Sequence, residues 1–354
     1  MTQIRTEVQD ALRRLALPDG GDLISRDMIR ALTVEDGKVR FVIEAPSPEI
    51  ARQMEPLRRA AEEIVGQVPG VTGVSAALTA HQTEKKPPSL KLGQHPQAQA
   101  GPMKPAGVKT ILAIGSGKGG VGKSTVSSNL AVALARAGKR VGLLDADIHG
   151  PSQPRMFGLT ERPQSPDGKT IRPLKAHGVT LMSIGLMLAE DKAVVWRGPM
   201  LMGALQQMLM QVDWGELDVL LVDLPPGTGD VQLSLCQKSE VAGAIVVSTP
   251  QDVALLDARK ALDAFATLRT PVLGLIENMS VFVCPHCGGE SHIFGHGGVV
   301  AEAERLGLPV LGQLPVDLET RLAGDSGRPV ALGDGPVPEA YARLADRLIA
   351  GGIV

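Results

Sequence analysis

The chain has 354 residues, 44% of them hydrophobic and only 2% aromatic, with a formal net charge of -2. That length and apolar content can bury a large, mainly aliphatic core and call for more than one domain. The near-neutral charge excludes a general electrostatic attraction to nucleic acid or an anionic membrane surface, and the scarcity of Phe, Tyr and Trp excludes a base-stacking platform.

The opening MTQIRTEVQDALRRL is charged throughout and has no apolar signal-peptide core, and no later run approaches a membrane span, so a soluble cytoplasmic protein is expected. Residues 1–80 read as a small α/β domain. An amphipathic helix carries Val8, Leu12 and Leu15, and Asp36-Gly37 between two apolar runs signals a hairpin. A helix over Ile50 to Val65 and a strand from Val71 to Leu78 follow. With no catalytic cluster, this part reads as a helper or docking domain. Residues 81–108, rich in Pro, Gln, Gly and Lys, cannot bury a core and read as a flexible linker with His81 and His95 solvated.

Residues 109–354 alternate short apolar runs with helical stretches: TILAIGS, RVGLLD, LDVLLVDL, AGAIVVST, PVLGLIEN and PVLGQLP. The pattern predicts an α/β fold, a mainly parallel sheet flanked by helices, with ligand-binding loops at the carboxyl ends of the strands. The stretch 167–184 reads as an inserted hairpin. The methionines around Met200 to Met210 read as core.

GKGGVGKST, Gly117 to Thr125, follows one apolar run and opens a helix. Gly117, Gly122, Lys123 and Ser124 satisfy the phosphate-loop pattern, in which backbone N–H groups and a helix N-terminus surround phosphate oxygens. Lys123 then reaches the terminal phosphates, and the Ser124 hydroxyl can ligate Mg²⁺. RVGLLD ends in Asp145-Ala146-Asp147, carboxylates placed to orient a water or support the Mg²⁺ shell. LDVLLVDLPPGTGD ends its apolar run in Asp223, a second Mg²⁺-side carboxylate, and Gly227 or Gly229 in the turn that follows can sense a γ-phosphate. Together these predict a P-loop NTPase. Cys236 reads as a core residue.

Cys284-Pro285-His286-Cys287 supplies half of the four ligands wanted by a 4Fe-4S cluster or by tetrahedral zinc. His292 and His296, just downstream, can complete a single-chain Cys₂His₂ zinc site, so the residues leave cluster and zinc both open. His286 reads as an exposed spacer, and His149 and His177 as turn or core residues.

GKGGVGKST, with Lys118 directly after the first glycine, resembles the deviant Walker A form of the ParA/MinD-like clan of dimeric ATPases. DADIHGPS, LPPGTGD and ENMS followed by CPHC resemble one branch of it, the Mrp/ApbC-type iron–sulfur cluster carriers, over residues 108 to 350. Residues 1–80 resemble the MIP18-like (DUF59) module often fused in front, with Pro18-Asp19-Gly20-Gly21 where that module has an Asp-Pro-Glu turn.

The resemblance implies an ATP-hydrolysing homodimer that carries a 4Fe-4S cluster from cluster donor proteins to client apo-proteins, without nucleic acid or membrane partners. It implies that Gly117, Lys118, Gly119, Gly120, Val121, Gly122, Lys123, Ser124 and Thr125 hold ATP, with Asp145, Asp223 and Asn278 contributing. Ser124 and Asp223 would hold Mg²⁺, and Asn278 the adenine edge. Lys118 would reach phosphates in the other subunit, Asp147 would position water, and Cys284 and Cys287 of two subunits would share the cluster. The alternatives are a ParA/MinD-like positioning ATPase and the same ATPase with structural zinc.

Overall fold

A computed structural model describes the chain apart from residues 1, 16, 18, 19, 36, 46, 47, 81–101, 149 and 188–197. Expectations for the Asp36 turn, Pro18-Asp19, His81, His95, His149 and most of the linker therefore lie outside the described residues. The chain divides into two compact units, Met1–Lys86 and Pro87–Val354.

The first unit runs α1 (Thr2–Arg13), β1 (Ile29–Glu35), β2 (Lys38–Ala45), α2 (Pro48–Gln53), α3 (Glu55–Gly66) and β3 (Gly73–Ala80). Antiparallel β1–β2 is the expected hairpin, and β3 adds in parallel to β2. Alternation along β2 buries Val39, Phe41, Ile43 and Ala45 against Val8 and Leu12 of α1 and Ala61 and Val65 of α3. The single helix expected over Ile50 to Val65 is two. Pro56 sits in the first turn of α3, where its missing N–H costs nothing, whereas inside one continuous helix its ring would clash with the preceding turn.

The second unit runs β4 (Val108–Gly115), α4 (Lys123–Arg136), β5 (Val141–Asp145), α5 (Gln153–Met156), β6 (Leu174–Ala176), β7 (Val179–Ser183) and α6 (Gly198–Met210). It continues with β8 (Leu217–Asp223), α7 (Asp230–Lys238), β9 (Gly243–Ser248), α8 (Asp252–Thr267), β10 (Val272–Val283), β11 (Glu290–Ser291) and α9 (Gly298–Leu306). Last come β12 (Val310–Val316), α10 (Leu318–Asp325) and α11 (Pro336–Ala350). Strands β12, β10, β9, β4, β8, β5 and β7 lie side by side in parallel, with β6 antiparallel on one edge and β11 antiparallel to the far end of β10.

Both faces of this sheet are covered, which explains its unbroken apolar strands. Along β8, Leu220 and Val222 join a core with Leu205 of α6, Leu235 of α7, Phe265 of α8 and Val299 of α9. Val219 and Leu221 join the opposite core, with Leu130 and Leu134 of α4 and Tyr341 and Leu344 of α11. Met208 and Cys236 are core residues. The segment expected as an inserted hairpin is instead part of the sheet: β6 and β7 do form a hairpin, and β7 extends the sheet beside β5. Its last residue, Ser183, thereby reaches the strand ends where the phosphate-loop residues gather.

Candidate nucleotide site and cysteine hairpin

The register of the central strands sets the site. Asp145 at the end of β5 pairs with Asp223 at the end of β8, which pairs with Ile114 just before the phosphate loop. Gly120 and Gly122 take left-handed φ of 80° and 82°, the conformations that let the loop curl before α4 begins at Lys123. A Cβ on Gly117 would overlap the Asp257 carbonyl and Ala258 N of α8, and one on Gly122 would overlap the Asn278 side-chain amide. The loop is thus seated by two close approaches that only glycine permits.

Lys123 and Asp223 are 5% and 0% exposed and form an ion pair of 2.7 Å. Asp223 Oδ1 also accepts from Ser127 Oγ at 2.9 Å, and its Oδ2 accepts from Gln153 Nε2 at 2.8 Å. Lys123 Nζ further donates to Ser124 Oγ at 3.2 Å and lies 3.9 Å from Asp147 Oδ2. Lys123, Ser124, Asp147 and Asp223 therefore form one cluster, as the spacing of their motifs suggests.

Asp145 stands one layer behind. Its Oδ1 accepts from Asp147 N, and its Oδ2 from Gln153 N at 3.1 Å and Ser183 Oγ at 3.0 Å. Burial, with Asp223 alongside, raises its carboxyl to about 7. Asp145 and Asp147 thus do not share one role: Asp145 is sealed among donors, while Asp147 approaches Lys123. Gly227 N–H donates to Ser116 O at 2.9 Å, which leaves Gly229 as the candidate phosphate sensor. Lys118 is half-buried and makes no ion pair among the described residues.

Beside the loop, a cavity of about 350 Å³ is lined by Gly122, Thr125, Arg155, Asn278, Pro315 and Asp317 among others. Asn278 faces it, with Nδ2 donating to Val121 O at 2.9 Å. One amide donor is thus already spent on the phosphate loop, and Oδ1 and the second N–H remain for a base.

Strand β10 continues past Asn278 to the cysteines. Met279 has φ of 57°, and the β10–β12 register breaks between Asn278 and Phe282. Phe282 and Val283 then pair with Ser291 and Glu290, closing a hairpin around Cys284–Gly289 through Cys284 N to Gly289 O and Gly288 N to Cys284 O, both 2.9 Å. Cys287 is exposed and Cys284 half-buried. N–H groups of His286 and Cys287 aim at the Cys284 sulfur and hold its thiol below the ordinary value, the polarity a metal-binding thiolate needs.

The two downstream histidines do not complete a metal site. His292 Nδ1 lies 3.0 Å from Ser280 O, and its ring sits 4.2 Å from that of His296, with the two Nδ1 atoms 3.4 Å apart. Among the described residues no three His, Cys, Asp or Glu side chains are grouped to hold a metal. Cys284 and Cys287 are thus not gathered with His292 and His296 into a single-chain Cys₂His₂ site; the Nδ1 contact with Ser280 O would not by itself prevent His292 Nε2 from ligating.

Residues 107–349 match the model of the NUBPL iron-transfer P-loop NTPases, and residues 5–76 match that of an iron-sulfur cluster assembly protein family. The chain belongs to the NUBPL iron-transfer P-loop NTPases. An iron-sulfur cluster carrier protein of Pseudomonas fragi is 52% identical over 244 residues, 68% of this chain and 85% of its own length. Another, from Helicobacter pylori, is 41% identical over 329 residues, 92% of this chain and 86% of its own. A nucleotide-binding protein from Archaeoglobus fulgidus, solved in complex with ADP, superposes with a TM-score of 0.57 at 38% identity, over 64% of this chain and 90% of that one. As a member of this family the protein is a nucleotide-binding P-loop NTPase of iron–sulfur cluster carriage and assembly. No helix among the described residues is long and apolar enough to cross a membrane.

Motif reasoning missed Gln153, Ser127 and Ser183. Ser127 lies one helical turn after Lys123, so its position on the same face was available from the 3.6-residue period. Gln153 and Ser183 carried no comparable signal. Glu277, also missed, is fully buried, accepting from Val299 N of α9 at 2.9 Å and Gln313 Nε2 at 2.8 Å, and so ties β10 to α9 and β12.

Proposed function

We propose that the protein is a cytoplasmic, homodimeric, Mg-ATP-hydrolysing carrier that holds a 4Fe-4S cluster between two subunits and passes it to apo-proteins. The observation that carries this reading is the Cys284–Cys287 hairpin. It presents two thiols, one of them acidified, with no further ligand grouped among the described residues. A second copy related by a two-fold axis supplies the remaining pair. Residues 1–80 serve as an accessory domain and 81–108 as the linker to the ATPase domain at 109–354.

The phosphate loop fits a magnesium nucleotide: its glycine cradle, the adjoining cavity and the buried, unpartnered Gln153 Oε1 all accommodate a polar ligand. Ser124 and Asp223 would hold Mg²⁺, which when bound neutralises charge on the β- and γ-phosphates. Residues Gly117 to Thr125 wrap the phosphates, with Lys123 leaving Asp223 to meet them. Asn278 contacts the base with its uncommitted amide atoms. Asp147 positions the attacking water, and Lys118 reaches the partner subunit's nucleotide, so hydrolysis requires the closed dimer.

Coupling to the cargo runs through β10, because one 12-residue strand carries both Asn278 and the start of the cysteine hairpin. A change at the phosphate loop reaches the cysteines through that strand, to the extent that nucleotide binds its two arrangements differently.

The test is anaerobic reconstitution with iron and sulfide, read by absorption, iron and sulfide content, and sedimentation. One 4Fe-4S cluster per two chains, absent from Cys284→Ser and Cys287→Ser, is the expected result. Zinc bound once per monomeric chain, with no cluster formed, would overturn the proposal.

A further inference from the structure

Gln153 is fully buried at the first position of α5, a short helix whose own hydrogen bonds do not need this side chain. It touches all three walls of the nucleotide site. Its backbone N–H donates to Asp145 Oδ2 at 3.1 Å, and its Nε2 donates to Asp223 Oδ2 at 2.8 Å and to Ser124 O at 3.0 Å. One residue thus bridges the ends of β5 and β8 and the first turn of α4. The remaining atom, Oε1, is buried without any protein partner. An orphan acceptor is costly in a purely structural glutamine, and such groups occur where water or a ligand completes the set.

We propose that Gln153 is a positioning residue of the nucleotide site, fixing the Asp223 carboxylate toward the metal-binding side of Ser124 and offering Oε1 to a water or ligand donor there. The inference rests on the reading of Ser124 and Asp223 as the Mg²⁺ side of the site. Asp223 Oδ1 is held by Lys123 and Ser127, whereas Oδ2 has Gln153 as its hydrogen-bond donor. When Lys123 turns to phosphate, Ser127 and Gln153 are the donors left to hold the two oxygens. Within the phosphate loop the Gln153 side chain bonds the carbonyl of Ser124, and no loop N–H, the group that meets phosphate, donates to its Oε1. The role therefore predicts a specific split: Gln153 matters for the Mg²⁺-dependent part of nucleotide affinity and little for the rest.

Gln153→Glu keeps shape but replaces the donor by an acceptor facing Asp223, and Gln153→Met keeps bulk without polarity. Binding of a fluorescent ADP analogue is measured in excess EDTA and in excess Mg²⁺ for wild type and both full-length variants, with thermal melting as the folding control. The expected result is EDTA affinity within about twofold of wild type, while the Mg²⁺ enhancement shrinks by about tenfold, the scale of one charge-assisted hydrogen bond. Equal losses with and without Mg²⁺ would show a merely structural residue and overturn the proposal. Full enhancement in both variants would overturn it while leaving the Mg²⁺ reading intact. Absence of enhancement in the wild type would remove that reading and the proposal with it.

Discussion

Replacing Lys123 by Met tests the buried ion pair separately from catalysis. Lys123 Nζ and Asp223 Oδ1 are 2.7 Å apart, with side chains 5% and 0% exposed. Removing one partner of such a pair leaves an uncompensated buried charge and costs about 3–5 kcal/mol. Ser127 and Gln153 continue to donate to Asp223, so the lower end, about 3 kcal/mol, is expected for Lys123→Met without nucleotide. Adding Asp223→Asn removes the stranded charge and should return about 2 kcal/mol. Urea unfolding followed by tryptophan fluorescence is the assay: Trp196 and Trp214 both fall within Pro87–Val354, and Trp214 is 3% exposed, so the signal reports that unit. With a slope near 3 kcal/mol per molar urea, the single variant unfolds about 1 M earlier than wild type. A wild-type midpoint for Lys123→Met, or a double variant no more stable than the single one, would refute the reasoning.

Three further outcomes follow from named contacts. Limiting iodoacetamide near neutral pH, read by mass spectrometry, should modify Cys284 before Cys287 although Cys287 is the more exposed, because backbone N–H groups favour the Cys284 thiolate; the reverse order would remove the argument from acidity. Asp145 rises from 3.8 to about 7 on folding, so between those values the folded state holds a proton that the unfolded state releases, and this contribution to stability is lost as pH rises through that window. Asp145→Asn should flatten that limb of the unfolding profile, and an unchanged slope would rule Asp145 out as its source. Gly117→Ala, whose methyl would overlap the backbone of α8, should abolish nucleotide binding and cost about 1–3 kcal/mol. Gly120→Ala meets open space and should cost only the left-handed backbone penalty, about 1–2 kcal/mol; equal effects would contradict the close approach at Gly117.

The parallel sheet was readable because its central strands β4, β5 and β8 are buried on both faces and appear as short apolar runs ending in Gly115, Asp145 and Asp223. The residues that follow such runs, Gly117, Asp145 and Asp223, come together at the strand ends because crossover topology brings every carboxyl end to one edge. Periodicity could not place β7, since a segment of five buried residues looks alike as a hairpin arm and as a sheet member until its pairing is known. It could not separate Asp145 from Asp147 either: i, i+2 spacing shares a face only while the chain stays extended, and β5 ends at Asp145. Gln153 was illegible for a stronger reason. A glutamine after Pro-Ser has no periodic or motif signal, and its importance arises only when three elements distant in sequence converge on it. The cysteines show the opposite limit, because their spacing announces a metal-binding pair locally, while the choice between histidines of the same chain and thiols of another is made by tertiary structure. Among the described residues the two thiols are not grouped with His292 and His296, and it is on this that the proposed cluster shared across a dimer rests.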